Sequence, residues 1–250
     1  MDVALAAFAF APALAVGSFL NVVAARLPER RSVVGGRSAC TACGSEIAWY
    51  DNVPLVSFAV LRGRCRSCGA PISWRYPAVE LATALLVVGC FLRFGFTAEA
   101  FLAAFFCSVL VVLSAIDAER RILPDLIVLP SFALVLAAHI ALEPDRTVEW
   151  VVASLGASLF LFLALLAHPR GMGMGDVKLA LLLGAGLGAS VAVGMMAGML
   201  AALVYSTVLF ARHGMRARKM AIPFGPFLAF GAVVALFAGD AILDAYLSGL

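Results

Sequence analysis

Apolar residues run along this chain in long blocks separated by short polar clusters. The blocks lie at about 3–25, 76–92, 98–116, 122–142, 149–167, 177–190, 191–211 and 222–239. Most approach the ~20 residues a helix needs to cross a hydrocarbon core of ~30 Å. The pattern predicts an all-α polytopic membrane protein with about eight transmembrane helices. The sixth block is the weak one. Its helix would rise only about 21 Å, and Gly184, Gly186 and Gly188 crowd its far end. It is expected to be short, tilted or closely packed through small residues, and a count of seven spans stays open.

Composition agrees. The chain is 64% hydrophobic and 13% charged, against about 25% charged in a soluble domain, which excludes a soluble globular protein. The first block is no secretory signal peptide, because Met1-Asp2 carries no basic residue and Arg26, Arg30 and Arg31 follow the block instead. It reads as a retained span with its N-terminus outside. In that orientation the inside segments hold sixteen of the eighteen Lys and Arg residues, leaving only Arg93 and Arg146 outside. Three parts follow: a first transmembrane helix (1–26), a cytoplasmic loop domain (27–75) and a seven-helix membrane domain (76–250). The lipid bilayer is an expected partner and nucleic acid is not. Oligomeric state is not legible.

The loop has turn formers, no long helical period and no clear internal repeat. About fifty residues bury too little surface to be comfortable alone, so a staple is expected. Cys40-Thr41-Ala42-Cys43 and Cys65-Arg66-Ser67-Cys68 supply one. Two Cys-x-x-Cys pairs at this spacing suit Zn²⁺ held by four thiolates, a closed structural site with no open position for catalysis. Arg62, Arg64 and Arg66 would offset its negative charge. A redox pair is the alternative, without the βαβ setting it usually has. Cys90 and Cys107 lie in apolar blocks and read as small hydrophobes.

Two acids stand where lipid-facing chain can least accommodate them. Asp176 lies in Gly171-Met172-Gly173-Met174-Gly175-Asp176-Val177-Lys178, between two apolar blocks, and Asp117 ends the third span. Charge counting puts both at the cytoplasmic face. Carboxylates a few ångströms apart cannot both ionise easily, so one can act as base toward water and the other as acid toward a carbonyl oxygen. That is aspartic-protease chemistry, without a metal. The bland alternatives are a loop acid for Asp117 and a helix N-cap for Asp176. Gly173 and Gly175 would permit unusual dihedrals and close approach of another backbone, and Lys178 completes the supporting loop. Asp125, after Pro124, reads as an N-cap. Gly184 to Gly188 lacks the strand-turn-helix setting of a phosphate loop, and His139, His168 and His213 form no protease signature.

In these residues the chain closely resembles the bacterial prepilin peptidases, the type IV leader peptidases of the GxGD intramembrane aspartyl protease class. The resemblance covers nearly the whole length. It runs through Gly17-Ser18-Phe19-Leu20-Asn21, Arg26-Leu27-Pro28, both cysteine pairs with Trp49-Tyr50-Asp51-Asn52-Val53-Pro54 between them, and Arg75-Tyr76-Pro77-Ala78-Val79-Glu80. The Asp117 to Asp125 run, Gly173-Met174-Gly175-Asp176-Val177-Lys178 and Ile222-Pro223-Phe224-Gly225-Pro226-Phe227 complete it. It implies that Asp117 and Asp176 are the catalytic pair. It further implies cleavage of the leader of type IV prepilins and type II secretion pseudopilins, after a glycine, at the inner membrane's cytoplasmic side. The four-cysteine loop belongs to the family's bifunctional form, which implies N-methylation of the new N-terminal residue with S-adenosylmethionine. Glu80 and Asp51 are polar candidates near that face, with structural pairing to the loop arginines as their plain alternative. Peptidase activity without methylation stays open. So do a transporter using Asp117 and Asp176 as ion ligands and a non-enzymatic scaffold.

Overall fold

The computed structural model describes residues 8–168 and 172–248, with residues 217–219 as backbone alone. Residues 3–7 of the first expected span, and Arg170 and Gly171 of the glycine stretch, lie outside the described residues. Among the described residues nine α-helices follow in order: α1 (Phe10–Arg26), α2 (Val56–Val60), α3 (Arg75–Phe94), α4 (Ala98–Arg120), α5 (Asp125–Leu142), α6 (Thr147–Ala167), α7 (Met174–Leu187), α8 (Val191–His213) and α9 (Gly225–Ser248). Pairing outside helices is limited there to two isolated bridges, Ala39 with Glu46 and Arg64 with Pro71. The chain divides into two compact units, Met1–Ile116 and Asp117–Leu250.

In the first unit α1 runs antiparallel to α3. Gly17 lies so close that an added Cβ would stand 2.7 Å from the Glu80 Cα. One turn along, Asn21 donates its side-chain N–H to the Tyr76 carbonyl at 3.0 Å. Such close approach is how helices associate in lipid, where burial of apolar surface gives little drive. Phe91, Phe96 and Phe101 stack around the turn into α4 with centroids 5.0–5.2 Å apart. Cys90 and Cys107 are buried with their sulfurs 3.9 Å apart, both free thiols, packed as the small hydrophobes their setting suggested.

The second unit holds α5 and two antiparallel hairpins, and it settles how the short sixth block is used. Hydropathy alone gives seven membrane-crossing stretches, the sixth a single 43-residue run from Met174 to Arg216. The backbone breaks that run at Gly188 (φ +55) and the tight turn that follows. Before the break, α7 packs along α6 in the opposite direction. Ser158 donates to the Val177 carbonyl at 3.1 Å, Gly184 meets the Ala153–Ser154 backbone, and the Ala189 N–H reaches Glu149 at 3.1 Å. After the break, α8 runs back along α9: Ser190 bonds Asp240 at 2.7 Å, Gly194 and Gly231 touch backbone to backbone, and Gly198 faces Phe227. The one apolar run is therefore two helices of opposite direction, and the seven stretches hold eight long helices among the described residues. Glu149 and Asp240 satisfy the polar groups of the turn, which lipid could not.

Candidate active site and metal centre

Asp117 occupies the last turn of α4, just before Arg121 (φ +56) ends the helix. It is 5% exposed. Its Oδ2 accepts the backbone N–H of Gly225, the first residue of α9, at 2.9 Å. The leading N–H groups of a helix have no partner within it, so Asp117 caps the start of a helix 108 residues away. A side chain at 225 would collide with it, since a Cβ there would stand 2.8 Å from Asp117 Oδ2.

Asp176 sits in the first turn of α7 and is 8% exposed. Its Oδ2 accepts the N–H of Gly173 at 3.2 Å, the acid half of a capping box. The carboxylate thus caps its own helix from the third position, and Gly173 rather than Asp176 is the N-cap residue. Gly173 (φ −96, ψ 155) and the helical Gly175 adopt ordinary dihedrals. Close approach is the property used: an added Cβ on Gly175 would lie 3.0 Å from the Leu123 Cβ, a side chain and not the backbone expected from the sequence.

Lys178, on the same face as Gly175, places Nζ 2.8 and 2.7 Å from the two carboxylate oxygens of Asp125. Asp125 was expected to be a cap, but Pro124 takes that place and Asp125 opens α5 as an ion-pair partner. Asp117, the Leu123–Asp125 stretch, the start of α7 and the start of α9 therefore share one end of the second unit. Two of the histidines have structural partners. His139 stacks on Trp150 at 4.1 Å toward the opposite end, and His213 bonds its own helix at Leu209.

In the first unit, Cys40, Cys43, Cys65 and Cys68 bring their four sulfurs within 4.8 Å of one another. Bonds of ~2.3 Å from a tetrahedral Zn²⁺ put sulfurs ~3.8 Å apart, and Cys40 and Cys68 already stand at 3.9 Å. The geometry fits one ion. Each pair is built the same way. The Gly44 N–H closes on the Cys40 carbonyl and the Gly69 N–H on the Cys65 carbonyl, both at 2.9 Å, with each glycine at φ +72. Cys40 and Cys65 then donate to Ser45 and Ala70. Each turn closes on its bridge, so the loop does contain an internal repeat. Its sequence signal, Cys-x-x-Cys-Gly twice over, is five residues long.

The Ser45 hydroxyl, 2.9 Å from the Cys43 sulfur, lowers that thiol to about 6, and backbone N–H groups of Cys68 and Ser67 lower Cys65. Cys68 goes the other way. The Ala70 N–H pulls it down, but the neighbouring cysteines and burial push it up to about 11. Four crowded thiols cannot all shed protons without a cation to hold their charge, which is the donor chemistry a metal ion would complete.

Asp51 and Glu80 have structural partners. Arg66 holds Asp51 through two bonds of 2.7 and 2.6 Å, keeping the acid below the usual carboxylate range. Glu80 is buried and accepts the N–H of Leu55 at 2.9 Å, a residue at φ +59 that needs such a tether. The first pairing is with a loop arginine and the second is with backbone.

The comparisons with known proteins follow the same residues. The bacterial peptidase A24 N-terminal domain family matches residues 12–94, and the type IV leader peptidase family matches residues 104–215. A prepilin leader peptidase/N-methyltransferase of Pseudomonas aeruginosa is 37% identical over 94% of this chain and 90% of its own. Proteins of the same description from Xanthomonas campestris and Bacillus subtilis are 35% and 32% identical, each over 94% of this chain and over 91% and 94% of their own. No solved structure matches. Seven stretches long and apolar enough to cross a membrane, a four-cysteine cluster and coverage of this extent leave one assignment: the chain belongs to the type IV leader peptidase family.

Proposed function

We propose that this protein cleaves the leader peptide of type IV prepilins and type II secretion pseudopilins, with Asp117 and Asp176 as the reacting acids. It then N-methylates the new N-terminal residue with S-adenosylmethionine as donor. The observation that carries the first half is the convergence of two buried carboxylates at one end of a membrane-embedded unit, each fastened to a helix N-terminus by a backbone N–H. An ionisable residue in a membrane segment calls for a function, and a pair of acids suits hydrolysis. One carboxylate takes a proton from water as its oxygen attacks the carbonyl carbon. The other gives a proton to the carbonyl oxygen, and the tetrahedral species collapses with the proton passing to the leaving amine. Methylation is supported by the description shared by the relatives.

The chain is assigned to the inner membrane with its N-terminus outside, so that residues 27–75 and the aspartate end face the cytoplasm, where a leader would lie. The loop is its own domain, and Cys40, Cys43, Cys65 and Cys68 hold structural Zn²⁺, a covalent cross-link that replaces a missing core. Glycines 173 and 175 and Lys178 support the helix start that carries Asp176. A transporter reading is disfavoured because transporters hold such acids near the midplane at broken helices, whereas both of these stand at helix ends.

Incubating the detergent-purified protein with a membrane-embedded prepilin tests both halves. Asp117→Asn and Asp176→Asn each abolish cleavage, a loss of at least ~10²-fold, and either one retaining cleavage sinks the mechanism. Mass spectrometry of the product's N-terminus, with and without S-adenosylmethionine, shows a methyl group or its absence.

A further inference from the structure

We infer that the Asp125–Lys178 ion pair is a positioning latch: it sets where Asp176 stands relative to Asp117. The inference rests on reading those two aspartates as the reacting pair. From Asp117 the chain has little freedom before Asp125. The helix ends at Arg121 in a left-handed conformation, and Pro124 fixes an extended entry into α5. The first turn of α7 is then held to that stiff segment at two points on one face. Leu123 fills the space a Cβ on Gly175 would need, and three residues on, Lys178 grips both oxygens of Asp125. Asp176 lies between these two residues, on the turn that the contacts hold.

Stability does not account for the pair. The Lys178 and Asp125 side chains are 31% and 56% exposed, and ion pairs so open to water contribute little to folding. Position does account for it. A group displaced by ~1 Å from its productive place can cost ~10²-fold in rate, and among the described residues this is the ion pair that joins the α5 and α7 starts beside the two acids. Lys178 and Asp125 are positioning residues. They act through Asp176 and need not touch substrate.

The test uses the full-length protein in detergent with a membrane-embedded prepilin. Asp125→Asn and Lys178→Gln should each lower kcat by roughly tenfold or more, with KM within about twofold of the parent. The double variant should be no worse than either single, because the two changes break one contact. Exchanging the charges, Asp125→Lys with Lys178→Asp, should recover part of the rate. Spin labels carried by noncanonical residues at Glu119 and Met174, read by pulsed electron resonance, should show a broader distance distribution in both single variants. Parental kcat in the single variants, additive losses in the double, or an unchanged distance distribution would each overturn the latch. Asp117→Asn and Asp176→Asn run alongside. If they still cleave, the catalytic reading falls, while the distance measurement still decides whether the pair holds α7 in place.

Discussion

The cysteine cluster and the aspartate cluster are built on opposite plans. In the cluster of the first unit, each half is complete within eight residues: two cysteines, a left-handed glycine and a closing bridge, made twice. In the second unit neither acid is placed by local contacts alone. Asp117 needs Gly225, 108 residues on, and Asp176 stands on a turn braced by Leu123 and Asp125. A site made of repeated local turns can lose one contact and keep its shape. One made of single long-range contacts cannot.

The sharpest break of that contrast is Gly225→Ala. Its methyl would stand 2.8 Å from Asp117 Oδ2 and push the carboxylate off its N–H donor. We expect kcat for prepilin cleavage to fall about 10²-fold, with thermal unfolding in detergent nearly unchanged. Metal removal comes next. A chelator should loosen residues 27–75, read as faster amide exchange across Ser38–Ala70, while cleavage falls by less than about tenfold. A zinc-dependent reaction with strict one-to-one stoichiometry would contradict the structural role. A smaller effect should come from Gly44→Ala or Gly69→Ala, each forcing a side chain into φ +72 at ~1–2 kcal/mol. Metal affinity measured by competition should weaken about tenfold and cleavage should hold. Smallest is the Arg66–Asp51 pair. Asp51 is depressed in the folded loop by Arg66, so its contribution is present above the ordinary carboxylate range and fades as pH drops below it. The loop's melting should become slightly acid-sensitive below about pH 4, and Asp51→Asn should remove that sensitivity.

How much was legible in the sequence follows the same divide. The cysteine site was readable because its ligands, spacing and purpose lie in short words of sequence. The repeat went unseen only because five residues are too few to register as one. Hydropathy located the spans and marked Asp117 and Asp176 as anomalous. A hydropathy window alone could not separate α7 from α8, since the reversal at Gly188 adds no charge to the run Met174–Arg216, although the blocks 177–190 and 191–211 already read as two spans. Nor could it show that Gly225 offers the N–H that Asp117 accepts. Pro223 and Pro226 on either side hint at a helix start with an open donor, but which acid reaches it is a tertiary fact. Asp125 was misread for the same reason: a local rule favours a cap after proline, and a lysine 53 residues away competes for the carboxylate.

The turn at Gly188 has a mechanical consequence. It anchors α7 firmly at the end remote from Asp176, through Ala189 on Glu149 and the Gly184 contact with α6. The helix is then a lever about 18 Å long from that pivot to the acid. A swing of only about 3° moves the acid by about 1 Å, enough to decide between reaction and rest. Shortness gives α7 few turns to bend, so such a swing would pass undiminished from the pivot to Asp176.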